Sequence, residues 1–323
     1  MTYASSPDGV AALEGSVRRG LGLFTPPPAL TVSQWADLYG RLPREASAEP
    51  GQWVTARAEY QREPMDAIND PAIEKVVLFW ASQMGKSAIL LNVIGYFVHQ
   101  DPSPILLLQP TLEMAEAFSK DRVATMIRDT SQITPLFGDP RTRDSGNTLL
   151  HKLFPGGHLT LAGSNSPASL ASRPIRVRIA DEIDRYPASA GAEGDPIKLA
   201  DARTATFWNR KKIDTSTGTI KGVSRIEKSF EQSDQRQYHV PCPQCRELQV
   251  LTWSHLHWPS PLTGAQRHQP EECYYVCARN GCEIRESDKL WMIGQGKWIV
   301  GNPGGGDGKT AGFHISQPVS EGD

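Results

Sequence analysis

The hydrophobic pattern of the chain changes near residue 74. Before it, apolar positions are scattered. Thr31 to Leu42 reads as a short helix with Trp35 and Leu38 on one face, Pro26-Pro27-Pro28 as a stiff break and Pro50-Gly51 as a turn. From Glu74 onward the texture alternates. Val76-Val77-Leu78-Phe79-Trp80 is continuously apolar, as a strand buried on both faces must be. Ala88 to Val98 follows at helical spacing. Ile105 to Leu108 is a second buried strand, and Pro110-Thr111 caps a helix running through Glu116, Phe118 and Met126. Leu159 to Ala162 and Ile175 to Ala180 are further strands, and Lys212 to Thr219 resembles the end of another. Strands and helices alternating at these lengths predict an α/β fold, a mainly parallel sheet with helices on both faces. Arg176 and Arg178 interrupt the apolar run of their strand, which predicts a partly open face or arginines that serve a site.

Beyond about residue 230 helical periodicity disappears, and Cys, Pro, His and Trp become frequent. This predicts a small inserted or appended module. Gly301 to Gly312 is glycine-rich and reads as a flexible connection. The expected organisation is an accessory lead-in over 1–70, a core over 71–230, a cysteine-rich module over 231–300 and a glycine-rich tail over 301–323.

Composition narrows the classes. With 323 residues and 39 % hydrophobic positions the chain can bury a sizeable core. A net charge of −2 excludes a histone-like basic protein and an acidic disordered tail, so any nucleic-acid-binding face must be local. No run of about 18 apolar residues exists to cross a membrane. Met1 to Gly20 carries Asp8, Glu14, Arg18 and Arg19 and lacks the apolar centre of a secretory signal, so a reducing cytoplasm is expected. All five cysteines lie between Cys242 and Cys282, which in that compartment points to metal rather than disulfides.

Ser82-Gln83-Met84-Gly85-Lys86-Ser87 stands between the first buried strand and its helix. There, backbone N–H groups hold phosphate oxygens, Lys86 reaches the β- and γ-phosphates of ATP, and the Ser87 hydroxyl holds Mg²⁺. This predicts a P-loop NTPase, although Trp80 stands where the loop usually opens with glycine. Asp181-Glu182 closes the strand that ends at Ala180. An acid at the C-terminal end of a strand faces the ligand crevice of such sheets. Asp181 is the candidate Mg²⁺ holder and Glu182 the candidate base for the attacking water. The hydroxyl-rich tip Thr215-Ser216-Thr217-Gly218-Thr219 can sense a γ-phosphate, with Thr215 a candidate contact, and Arg173 is a candidate for stabilising transition-state charge, in cis or from a neighbouring subunit.

Cys242-Pro243-Gln244-Cys245 is half of a zinc knuckle, and Cys277 with Cys282 supplies the other half. Four thiolates make a closed structural Zn²⁺ site in a zinc-ribbon-like module. The C-x₄-C spacing departs from tighter ribbons, and Cys273 is a spare. His255, His257 and His268 read as surface or packing residues.

Taken in order, Trp35-Ala36-Asp37, Glu63-Pro64-Met65-Asp66, the Ser82–Ser87 loop, Asp181-Glu182-Ile183-Asp184-Arg185-Tyr186-Pro187, Thr215 to Thr219, the two cysteine pairs, Gly296-Lys297-Trp298 and Ala311-Gly312-Phe313-His314-Ile315-Ser316 resemble the large terminase subunit of tailed bacteriophages, of the lambda GpA-like type. The resemblance implies an ATP-driven motor that moves double-stranded DNA into a procapsid. It also implies work with a small terminase subunit and a portal, assembly of several copies, and no membrane partner. By the same resemblance Lys86 and Ser87 are the loop residues, Asp181 binds Mg²⁺ and Glu182 is the catalytic carboxylate. Tyr60 and Gln61 lie where such motors often read adenine. Gly218 departs from the proline common in the coupling tip. The family's C-terminal metal-dependent nuclease would follow Ser316. With the sequence stopping at Asp323, an ATPase without nuclease activity is expected. The competing readings are a helicase-like DNA-remodelling ATPase and an inactive prophage remnant.

Overall fold

The computed structural model describes residues 29–45, 47, 49–138, 146–166, 173–257 and 272–315. The proline break at 26–28, the N-terminal stretch, His268, Ser316 and the residues up to Asp323 lie outside these.

Helix α1 (Val32–Tyr39) starts at a capping box, with the Thr31 hydroxyl accepting from Gln34 N and the Gln34 side chain accepting from Thr31 N. It is followed by the short hairpin β1 (Arg41–Leu42) and β2 (Gly51–Gln52), a 3₁₀ segment over Thr55–Gln61, and α2 (Arg62–Ala67). Trp35 is buried but Leu38 is 55 % exposed, so the two do not share the expected face. Trp35 instead meets Tyr39, one turn on.

The core strands and helices then run β3 (Lys75–Trp80), α3 (Lys86–His99), β4 (Ile105–Gln109), α4 (Leu112–Phe118), a π turn over Ser119–Val123, α5 (Ala124–Asp129), β5 (His151–Phe154), β6 (Gly157–Gly163), β7 (Val177–Ala180), α6 (Pro196–Ala202), β8 (Lys211–Ser216) and α7 (Arg225–Glu231). The helix expected through Met126 is thus divided by the π turn. After it come β9 (Arg236–Pro241), β10 (Leu248–Gln249), β11 (Leu256–His257), β12 (Tyr274–Val276), β13 (Glu283–Ile284), α8 (Lys289–Gly294), β14 (Lys297–Val300) and β15 (Thr310–Ile315).

Ten strands form one sheet in the order β10-β9-β15-β3-β8-β7-β4-β6-β5, with β14 also on β9. From β9 to β6 every neighbouring pair is parallel. The continuous apolar runs suit this, because helices cover both faces: β4 is buried at every position. β8 lies between β3 and β7. It therefore stands between the loop that follows β3 and the acids that follow β7.

Three expectations need correction. The glycine-rich tail contains β15, paired along its whole length with β3. Gly312 within it is a packing requirement: a Cβ there would run into Ser233 and Phe230. The boundaries expected at 230 and 300 are crossed by the sheet, since β9, β14 and β15 all belong to it. Within 231–300 only the three-stranded sheet β11-β12-β13 stands apart from it; the Cys242–Cys245 turn joins β9 to β10 of the large sheet, and Cys277 and Cys282 lie between β12 and β13. Finally, Arg176, just before β7, and Arg178, on it, neither face an opening nor serve the candidate site. Arg178 is fully buried and paired with Asp214 on β8 and with Asp201, while Arg176 makes a two-pronged pair with Asp101 at 2.7 Å. Lys75 joins Asp214 at 2.8 Å, which gives the sheet an internal ion cluster.

No helix among the described residues is long and apolar enough to cross a membrane.

Candidate active site and cysteine cluster

The loop after β3 turns through two residues with positive φ, Gln83 (60°) and Gly85 (86°), and Gly85 caps the start of α3. Gly85 is required twice over: its conformation suits glycine, and a Cβ there would collide with the Gln61 amide. Gln61 itself is buried and donates to Met84 O at 3.1 Å, so the 3₁₀ segment braces the loop from outside. Trp80, in place of the usual opening glycine, is wholly buried. It stacks on Trp298 of β14 at 6.3 Å and 10°, and meets Tyr60 edge-on. The departure from the usual loop is thus an aromatic anchor to the strands that carry the cysteine module.

Lys86 is 6 % exposed. Its ammonium donates to Trp80 O (3.1 Å), Ala81 O (3.0 Å) and Thr217 Oγ1 (2.7 Å), and lies 3.8 Å from Glu182 Oε1. Burial pushes the lysine's pKa down, against the pull of Glu182 and Asp181. Burial pushes that of Glu182 up, against Lys86. Glu182 has φ 53°, a left-handed conformation uncommon for a glutamate and a local strain that surrounding bonds must hold. Asp181 is buried, with one oxygen accepting from Thr215 Oγ1 (2.5 Å) and the other from Gln109 Nε2 (3.1 Å).

The structure therefore brings Lys86, Asp181, Glu182 and the β8 tip together. Ser87 lies in the first turn of α3, and Ser82 and Gln83 are exposed on the loop. Thr215 sits against Asp181, and Thr217, not singled out as a contact in the sequence, is the residue on Lys86. Gln109 was also missed, although a polar residue closing an apolar strand at the same sheet edge is a usable signal. Gly218 packs so closely on Phe79 that a Cβ would lie 2.7 Å from its ring, which explains why no bulkier residue stands there. Arg173 is not brought to this cluster. It is exposed and donates to His151 Nε2 at 2.6 Å, beside the edge strand β5.

A cavity of about 800 Å³ adjoins the loop. Tyr60, Gln61, Gln83, Gly85, Ser87 and Asn92 are among its walls.

The four cysteines Cys242, Cys245, Cys277 and Cys282 lie with their sulfurs within 4.8 Å of one another and could hold a metal ion. Cys245 and Cys277 are 3.8 Å apart, the separation expected between thiolates about 2.3 Å from a tetrahedral Zn²⁺. The two halves are the same turn. Cys242 N bonds Glu247 O and Arg246 N bonds Cys242 O; Cys277 N bonds Cys282 O and Gly281 N bonds Cys277 O. Arg246 and Gly281, at matching positions, both have φ 65°. The odd C-x₄-C spacing follows: Asn280 takes the place of Cys245, and the second half supplies its sulfur two residues later. Cys273, His255 and His257 are not in the cluster.

A buried strand, a Gly-Lys-Ser turn and a helix, facing an acidic pair across one inserted strand, is the layout of a phosphate-loop ATPase. The chain matches the family described as phage terminase large subunit gpA, ATPase domain, over residues 47–298, and belongs to that family. It is 32 % identical over 295 residues to the large terminase subunit of Enterobacteria phage P21, covering 90 % of this chain and 45 % of that protein. It is 30 % identical over 282 residues to that of Escherichia phage lambda, covering 86 % and 43 %. The chain thus spans less than half the length of these curated relatives. Among solved structures, the large terminase ATPase domain of Thermus phage P74-26 aligns with a TM-score of 0.37 at 16 % identity, over 52 % of this chain and 68 % of that one. The large terminase of a second thermophilic bacteriophage aligns with a TM-score of 0.35 at 13 % identity, over 50 % and 39 %.

Proposed function

We propose that this chain is the ATP-hydrolysing motor part of a terminase, driving double-stranded DNA into a procapsid in concert with a small terminase subunit and a portal. Several copies would act together in the cytoplasm of a bacterial host. The observation that carries the reading is the buried Lys86 lying 3.8 Å from Glu182, beside an Asp181 whose oxygens are both fixed.

In this reading the residues of the Ser82–Ser87 loop hold the phosphates, and Lys86 gives up part of its present bonding to reach the β- and γ-phosphates. Gln61 and Tyr60 border the cavity that receives the adenine base. Ser87 and Asp181 are the residues that would hold Mg²⁺, which when bound offsets the negative charge that builds on the phosphates. Glu182 takes the proton of the attacking water at its carboxylate. Arg173, held on His151 away from the cluster, suits a role towards a neighbouring copy rather than its own site. Cys242, Cys245, Cys277 and Cys282 would hold a structural Zn²⁺ that closes the module on β9.

The test is ATP turnover by the purified chain, with and without double-stranded DNA, beside Lys86→Ala. DNA-stimulated turnover that the substitution abolishes is expected. No turnover in the unaltered chain would favour an inactive remnant that only folds.

A further inference from the structure

Asp184 lies two residues beyond Glu182, in the single 3₁₀ turn Ile183–Arg185. Its backbone N–H donates to Ser216 Oγ at 3.3 Å, the last residue of β8. Its Oδ2 accepts from both the N–H and the hydroxyl of Thr219, each at 3.1 Å. Its Oδ1 accepts from Ile226 N, in the first turn of α7, at 2.9 Å. One residue thus ties the turn carrying Glu182 to both ends of the segment joining β8 to α7.

That segment begins at Thr217, the hydroxyl bonded to Lys86. An ammonium has three N–H donors, and here all three are engaged within the protein. A phosphate that takes one of them must displace a partner. Two partners are carbonyls of the loop's own entry, whereas Thr217 directly follows a different strand, β8. Exchange of Thr217 for phosphate therefore alters how the tip of β8 is held, and Thr219, two residues on, hangs from Asp184.

Glu182 needs such an anchor. Its left-handed backbone persists only where neighbouring bonds fix the chain on each side. Asp181 is pinned before it by Gln109 and Thr215, and Asp184 after it by Ser216, Thr219 and Ile226. A carboxylate accepting several N–H and O–H bonds is a firm tie, because charge-assisted bonds are about twice as strong as neutral ones.

We infer that Asp184 is a positioning residue of the ATPase site: it fixes the base Glu182 and links its placement to the β8 tip on Lys86 and to the start of α7. The inference rests on the ATPase reading above and extends it to how the occupied phosphate site is communicated to the rest of the fold.

The test uses the full chain carrying Asp184→Asn, Thr219→Ala or both. An amide at 184 has only one oxygen to accept with, so one set of bonds is lost. For Asp184→Asn, kcat for ATP should fall about ten-fold or more, while KM and the affinity for ADP stay within about two-fold and the thermal midpoint holds. Thr219→Ala should lower kcat less, and the double variant should be no worse than Asp184→Asn alone, because the two residues act through one contact. A kcat within about two-fold of the unaltered chain, or additive effects of the two substitutions, would overturn the inference. So would ADP affinity falling in step with kcat, which marks general damage to the site. If Asp184→Asn does not fold, an unchanged kcat in Thr219→Ala overturns it on its own. An unaltered chain without ATP turnover overturns the ATPase reading and this inference with it. Normal turnover in all variants overturns the inference alone.

Discussion

Lys86 and Thr217 meet at 2.7 Å, ammonium to hydroxyl, across the gap between the loop after β3 and the tip of β8. The contact exists because β8 is inserted between β3 and β7. Were the loop strand and the acid strand direct neighbours, no third element could stand between the lysine and the acids. The insertion gives the site a hydroxyl-bearing tip that touches the lysine and, through Thr215, the first acid.

Lys86→Ala removes the only ammonium in this cluster among the described residues. Turnover of ATP should fall by at least about 10²-fold and nucleotide binding should weaken, as loss of a preorganised charge opposite a phosphate predicts. Steady-state kinetics and calorimetric ATP titration measure the two effects. Unchanged turnover would remove the loop from the chemistry.

Glu182→Gln should retain ATP binding and lose about 10²–10⁴-fold in turnover, since an amide cannot accept the proton of water. The carboxyl of Glu182 is shifted upward by burial. It must be ionised to act, so as pH falls turnover should begin to fail above the ordinary glutamate value of about 4.3. A pH profile of kcat flat down to that value would contradict the assignment.

One Zn²⁺ per chain is expected by elemental analysis of protein prepared without chelator. Cys242→Ser should release it and loosen β9 and the strands beside it, lowering the thermal midpoint. Cys273→Ser should leave both metal content and stability unchanged, because Cys273 is outside the four-sulfur cluster.

The internal ion cluster predicts a stability effect. Asp214→Ala leaves Arg178 buried without its closest partner and should cost about 3–5 kcal/mol in urea unfolding. Burial opposes ionisation of Asp214, but Arg178 and Lys75 outweigh it and hold its pKa below the usual carboxylate range. Burial likewise opposes Glu74, yet bonds from Arg210 and Lys212 hold it down to about 2. Both folded values lie below the unfolded ones, so their contribution is complete above about pH 4.5 and is lost as pH falls towards 2 and below. Glu74→Gln should flatten part of that loss in urea midpoints measured across this window.

Much of the site was legible because its strands are mainly apolar, β8 excepted, and its acids and lysine fall at strand ends. Val76 to Trp80 and Ile175 to Ala180 declare themselves by composition, and Gly85-Lys86-Ser87 and Asp181-Glu182 follow directly. What escaped depends on pairings distant in sequence. Thr217 reaches Lys86 across 131 positions and Gln109 reaches Asp181 across 72, and neither residue type is unusual where it stands. Arg178 looked like an exposed or functional residue because its counter-charges, Asp214 and Asp201, sit on other elements. The second cysteine half looked irregular because spacing alone does not show that Asn280 fills the place of a ligand within an otherwise identical turn.

The pairing of β15 with β3 carries a consequence for biosynthesis. During translation β3 emerges more than two hundred residues before the strand that completes its far side. Until Thr310 to Ile315 has left the ribosome, this largely apolar strand has one edge of unpaired N–H and C=O groups. Such an edge invites pairing with other nascent chains. The phosphate loop hangs from the end of that strand, so a chain interrupted within β15 should show its damage in aggregation rather than in a modest loss of activity.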